Sequence, residues 1–266
     1  MIRVAIASVG VLGPGLSDWD SGQALLRDPG LWHNASTVVA APSRLPATER
    51  RRAGNLVKAS VLVADQAVAG GTADPALLAT VFSSSTGDPL NCHLLCETLA
   101  TPERMVSPTR FTNSVHNAPA GYWHIATASR AASTSLAAHD ASFAVGLLEA
   151  VMQCRSTGAP VLLVACDLPY PEPLNTLRPV TDVFAVALLI TPDSGRGLQL
   201  ELTPTSEGGE DSGASVCAHE GLEHIRSTIP AARALPLLQA LAKVQAGHVV
   251  LDNQPGTSLH LHLDPA

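Results

Sequence analysis

Short apolar runs of strand length alternate along this chain with longer segments whose apolar residues recur at helical spacing. Arg3–Val9 is β-branched and apolar and runs into the Gly/Pro turn Gly10–Gly15, which predicts a buried first strand. Ser17 or Asp18 is placed to cap a short helix toward Leu26, and Pro42–Pro46 reads as a loop. From Thr48 one helix is predicted, with Ala53, Leu56, Val57, Ser60, Val61, Ala64 and Val68 on one face and Gly70-Gly71 as its stop. Leu78–Ser83 is the second strand and Leu90–Leu99 a helix. Pro119 suits the first turn of a helix reaching Ala126. Ser133–Ala137 reads as a short apolar strand, and Asp140 opens a long helix ended by Gly158 and Pro160. Val161–Cys166 and Val183–Thr191 are continuous apolar runs, the pattern of strands covered on both faces, and Leu198–Leu202 reads as a further strand. This alternation predicts an α/β fold with a parallel or mixed sheet between helical layers.

Thr203–Ser215 breaks the pattern. It is rich in Ser, Gly, Glu and Pro and reads as an exposed loop or linker. Beyond it, Ala231–Lys243 predicts an amphipathic helix, and His248–Leu251 and Ser258–Leu263 predict two strands around the turn Asn253–Gly256. The chain is therefore divided into residues 1–202, a flexible loop at 203–215 and a C-terminal piece at 216–266.

Its 266 residues suit one α/β domain or two small ones. Hydrophobic residues make up 46% and charged residues only 15%, below the usual quarter, so a partner subunit is expected. A net charge of −7 argues against nucleic acid as a partner, and 3% aromatics leave little for stacking on bases or sugars. No apolar run approaches the ~18 residues of a membrane span, and the apolar start is too short for a signal peptide. Five cysteines, an odd number, suit a reduced cytoplasmic protein.

Few side-chain groupings suggest chemistry on their own. His219 and His224 in His-Glu-Gly-Leu-Glu-His are five apart, whereas a helical zinc motif needs four, so the segment reads as a solvated helix face. His260 and His262 alternate on a strand but lack an evident third metal ligand. Cys92, His93 and Cys96 lack zinc spacing, and the cysteines read as core thiols. No metal site and no cofactor is implied. Arg50, Arg51, Arg52 and Lys58 are the main basic concentration, either a solvated helix face or a docking patch for an acidic carrier protein.

The segment SPTRFTNSVHNAPAGYWHIATASRAASTSLAAHDASFAVGLL, Ser107–Leu148, resembles the β-ketoacyl synthases of fatty acid and polyketide synthesis. Ser107-Pro108, Asn117, Ala120-Gly121, Ser133 and Ser135 fall at the family's spacing without a gap. Tyr122-Trp123, His139–Phe143 and Gly146–Ala150 are similar to a short subfamily associated with aryl polyene and xanthomonadin-type pigments, itself similar to chain-length factors. The resemblance implies a thiolase-like layered α-β-α fold with a complete N-terminal half and a shortened C-terminal half. It implies pairing with a full-length ketosynthase, and an acyl carrier protein as a further partner.

Two departures from the family bear on activity. A working ketosynthase carries a nucleophilic cysteine before the helix, and the matching position here is Asp140. A carboxylate cannot form the thioester that condensation requires, and Asp140 is expected to serve as a helix N-cap. The family's two catalytic histidine loops are also missing from the C-terminal part. The resemblance therefore implies a non-catalytic subunit. Its interface would be the strand edge Ser133, Thr134, Ser135, Leu136 and Ala137, and Thr109, Arg110, Phe111, Val115 and His116 would shape the partner's acyl pocket. The alternative is a homodimeric thiolase-fold hydrolase or transferase using Asp140, Ser142 or His139.

Overall fold

A computed structural model describes residues 2–192, 196–204, 213–254 and 256–264. The N-terminal stretch forms β1 (Ile2–Leu12), α1 (Trp19–Arg27), α2 (Ala47–Arg52), α3 (Asn55–Ala69) and β2 (Ala79–Ser83). The middle forms α4 (Pro89–Ala100), α5 (Pro108–Thr112), α6 (Ala118–Thr127), β3 (Ser133–Leu136), α7 (Ser142–Thr157) and β4 (Val161–Asp167). Then follow α8 (Leu174–Leu177), β5 (Phe184–Thr191), β6 (Arg196–Pro204), α9 (Glu220–Thr228), α10 (Leu235–Ala242), β7 (Gly247–Asp252) and β8 (Thr257–Leu263). The eight strands make one mixed sheet in the order β3-β2-β4-β5-β1-β6-β8-β7. β2 runs parallel to β3 and β4, and the remaining neighbours are antiparallel.

Every residue of β4 and β5 is buried, which is why both read as unbroken apolar runs. Side chains alternate between two cores. Val161, Leu163, Ala165 and Phe184, Val186, Leu188, Ile190 face the layer that includes α7 and α10. Leu162, Val164, Cys166 and Ala185, Ala187, Leu189 face the layer of α3 and α6. In β1 the register slips between Ile6 and Ser8, so Val4, Ile6, Val9 and Val11 all reach the α7 side despite the change of parity.

Alanines on α3 and β5 let that helix lie close to the sheet. Gly10 marks the closest approach: a Cβ there would overlap the Val63 carbonyl. β6 joins β1 to the C-terminal hairpin, so residues on both sides of the expected boundary at 202 share one sheet, and that boundary falls inside β6. The expected loop 203–215 lies largely outside the described residues.

Four expectations need correction. The helix from Thr48 is two helices, because Ala53 and Gly54 are extended. Asp88 packs so close to Gly54 that a Cβ there would lie 2.6 Å from its Oδ2. The segment from Ala231 is a 3₁₀ turn, Pro230–Ala234, followed by α10. In α10, Leu235, Pro236, Leu237, Leu238, Leu241 and Ala242 are buried, while Gln239 and Ala240 are partly exposed. Asp140 does not cap α7, which starts at Ser142 with Ala141 before it and no side-chain cap. The strand expected at Ser133–Ala137 ends at Leu136, leaving Ala137 just beyond it.

Gly10→Ala is expected to push α3 off the sheet and lower stability by about 1–3 kcal/mol. Gly121→Ala, on an exposed stretch of α6 with nothing within 4 Å of the new Cβ, is expected to raise it by about 0.5–1 kcal/mol. Urea midpoints of the two variants at constant m check both signs.

Candidate functional site

The C-terminal ends of β2, β3 and β4, which run parallel, open at the same edge of the sheet, and the polar residues gather there. After β3 the chain turns through a 3₁₀ turn, His139–Ala141, with His139 at φ +51°, a left-handed backbone uncommon for a residue with a side chain. This turn delivers Asp140 between two arginines. Its Oδ1 accepts from Arg178 at 2.6 Å and its Oδ2 from Arg233 at 3.2 Å. Arg178 also donates to Tyr170 Oη at 2.9 Å and Ser85 Oγ at 3.0 Å, and Arg233 donates to Asp252 at 2.8 Å. The two arginines lie 38 and 93 positions from Asp140 in the chain.

Beneath this network lies Asp167, 1% exposed. It accepts from the Ser85 amide at 2.7 Å and the Ser84 hydroxyl at 3.1 Å. Burial dominates over these donors and pushes its carboxyl from 3.8 up to about 7. Ser142 is equally enclosed. Its hydroxyl accepts from the Ala138 amide at 3.0 Å and donates to the His139 carbonyl at 2.7 Å, which closes the end of β3 onto α7. His139 is instead exposed, its Nδ1 3.6 Å from Asp140. Asp140, Ser142 and His139 therefore do not form a nucleophile–base relay: the serine hydroxyl is committed to backbone partners. Cys166 is a core thiol, fully buried, its acidity suppressed chiefly by desolvation.

A second polar feature is an open groove of about 660 Å³ between α3, α4 and α5. The residues expected to shape a partner's pocket divide around it. Thr109 and Arg110 line this groove of their own chain. Phe111 and Val115 are 69% and 52% exposed and face outward. His116 turns inward, its Nε2 3.0 Å from the Ser84 carbonyl oxygen. The basic residues divide too. Arg50 folds back onto the Ser43 and Leu45 carbonyls, Arg51 is exposed, and Arg52 and Lys58 line the groove with Arg110.

Cys92 and Cys96, expected in the core, are exposed on α4. The partner that the His260–His262 pair lacked in the sequence comes from β7, where His248 lies opposite His262. The rings stack, with His248 and His262 centroids 4.5 Å apart, and among the described residues no group is arranged to hold a metal ion. Asp167, Arg178 and Arg233 were not singled out from the sequence. Asp167 had one signal, a carboxylate directly ending an apolar run; the two arginines had none.

The profile of the family described as "Beta-ketoacyl synthase, N-terminal domain" matches residues 19–245, and the chain belongs to that family. Among solved structures it is similar to a chain of the ketosynthase (ApeO) in complex with its chain length factor (ApeC) from Xenorhabdus doucetiae. The TM-score is 0.75 at 20% identity, over 98% of this chain and 100% of that one. It is similar to a chain of the ishigamide ketosynthase/chain length factor, with TM-score 0.71 at 14% identity over 100% and 99%. A third similar chain comes from a complex of a type II polyketide synthase acyl-carrier protein with its ketosynthase bound to the hexaketide. There the TM-score is 0.79 at 10% identity, over the whole of both chains. These likenesses are of fold, and they make the fold the thiolase-like one of ketosynthases. A search of curated proteins gave no match. No described helix is long and apolar enough to cross a membrane.

The Asp167 carboxyl has a sign that can be measured. Its folded pKa lies above the unfolded value, so its contribution to stability is fully present below about pH 4 and is lost as pH rises through about 7. Asp167→Asn keeps an acceptor for the Ser85 amide and removes the buried charge. The gap between variant and wild type should widen in the variant's favour from pH 4 to 8, by on the order of a few kcal/mol. Paired urea titrations across that range check it.

Proposed function

We propose that this chain is a non-catalytic ketosynthase-like subunit that pairs with a catalytic β-ketoacyl synthase and shapes its acyl pocket, in the manner of a chain-length factor. One observation carries the reading. Asp140, which the sequence resemblance matches to the family's nucleophile position, is a carboxylate held by Arg178 and Arg233. A thiolate must be free to attack an acyl carbonyl; a carboxylate bracketed by two guanidiniums is committed to an ion-pair network. The chains of known ketosynthase and chain-length-factor complexes that share the fold support the same role. The pigment-type association of the sequence resemblance points to aryl polyene or a related polyketide pathway.

The pairing surface in this reading is the edge of β3. β3 has one sheet neighbour, β2, and Ser133 and Ala137 are exposed. An edge strand in a single chain presents unpaired amides and carbonyls, and continuing the sheet into a second subunit satisfies them. Thr134 faces α7, where its hydroxyl accepts from Gln153 at 2.9 Å, so it serves the fold. Ser135 and Ala137 are better placed to meet a partner. The exposed Phe111 and Val115 would then be the pocket-shaping pair, and an acyl carrier protein would be delivered to the complex, with Arg51, Arg52 and Lys58 as docking residues.

The pure protein is expected to show no condensation or decarboxylation of malonyl-carrier protein, and Asp140→Cys to restore none, because the family's histidine loops are missing as well. Turnover by the wild type alone would overturn the reading. The chain is expected to co-purify with a co-expressed ketosynthase of its own gene neighbourhood. Ala137→Arg or Ser135→Lys should abolish that complex while leaving the thermal midpoint within a few degrees, since a charge desolvated at the edge has no partner. A complex that survives both substitutions would remove the β3 edge from the interface.

A further inference from the structure

The groove between α3, α4 and α5 has a composition at odds with the rest of the molecule. The chain carries a net charge of −7, yet Arg52, Lys58 and Arg110 converge on this groove against a single carboxylate, Asp88. Among the described residues, a 3.6 Å contact with Glu49 is the one ion pair that offsets Arg52. Asp88 is a weak counter-charge: burial pushes its carboxyl above the usual range, and it is engaged in capping α4 through the Asn91 amide at 3.0 Å. The first turn of α3, a 15-residue helix, opens into the same groove, and its cap residue Gly54 supplies no side-chain acceptor. Asn55, Asn91, Ser107, Thr109 and Asn113 add neutral polar groups to the lining, and the rest of it is mainly aliphatic. Leu90 and Leu94 from α4 stand opposite Leu168 and Pro169 from the end of β4 and Val183 before β5, and Leu90 is 51% exposed. A concave site of about 660 Å³ with a cationic end and an aliphatic wall is within the size range of small-molecule sites.

We propose that this groove binds an amphipathic anion, its carboxylate or phosphate head held by Arg52, Lys58 and Arg110 and its aliphatic tail laid along Leu90, Leu94 and Val183. The head would be met by point charges and a bidentate guanidinium, and the tail would cover apolar surface now open to water. The groove lies apart from the Asp140 network, but it shares Arg52 and Lys58 with the docking residues of the proposed function and in that respect rests on that reading; binding by the isolated chain tests the groove, and co-purification tests the pairing.

The test is calorimetric titration of the full chain, below micellar concentrations, with dodecyl phosphate, dodecanoate, inorganic phosphate and neutral dodecyl maltoside. One of the two amphipathic anions is expected to bind at least tenfold more tightly than inorganic phosphate and than the neutral detergent; whichever is tighter identifies the head group. Affinity should fall several-fold between 0.05 and 0.5 M salt. Lys58→Glu and Arg110→Glu should each weaken binding about tenfold, and Leu90→Asp should weaken the long-chain anions but not inorganic phosphate. Asp88→Asn retains a helix cap and should tighten binding, a gain that damage to the fold would not produce. Arg155→Glu, on the last turn of α7, should change nothing. Equal binding of the neutral detergent, equal binding of inorganic phosphate, or indifference to Lys58→Glu in a folded variant would each overturn the proposal.

Discussion

Two strands at the centre of the sheet, β4 and β5, are cut off from water on both faces, and the rest of the molecule is organised to keep them so. A strand buried on both sides needs a helical layer above and below it. α3 provides one, drawn close by alanines and by Gly10, and α7 with α10 provides the other. Once α7 lies across β4 and β2, the turn between β3 and α7 is fixed at the C-terminal edge of the sheet, and Asp140 with it. The site is thus a consequence of how the central strands are covered.

At that edge the chain places much of its polar chemistry. Asp140, Arg178, Arg233 and Asp252 form a continuous run of ion pairs over a buried Asp167. In a partly exposed network each pair adds little to stability. Its consequence is geometric: two arginines far apart in the chain are tied to the turn that precedes α7. The same edge leaves β3 with one side unpaired. The side chain of Asp140 and the backbone of Ser133–Leu136 are different parts of this edge, so the ion-pair network leaves the open side of β3 untouched.

The elements were legible where periodicity and punctuation agreed. α1, β2, α4, α6, β4 and β5 fall within a residue or two of the expected segments, β1 runs on to Leu12 through the start of its expected turn, and the β7–β8 hairpin forms around its turn. The failures have a common cause. The break at Ala53-Gly54 depends on Asp88, the cap of a different helix. The role of Asp140 depends on Arg178 and Arg233, and as a local residue before a helix it could only look like a cap. α10 is mostly buried, with Gln239 and Ala240 as its partly exposed positions, and the turn before it is set by the packing of Pro230–Ala234, which periodicity does not record. The basic run at residues 50–58 divides because a helix ends within it, and Arg110, which completes the groove, arrives from α5.

The sequence by itself determined the α/β class and the family resemblance. These are properties of local pattern and spacing, and neighbours along the chain suffice to read them. Tertiary structure decided which charges meet: Asp140 with two distant arginines, Arg52 and Lys58 with Arg110, His248 with His262. Folding brings such groups together across tens of residues, and a charge's role is set by what surrounds it in space, which spacing along a chain does not record.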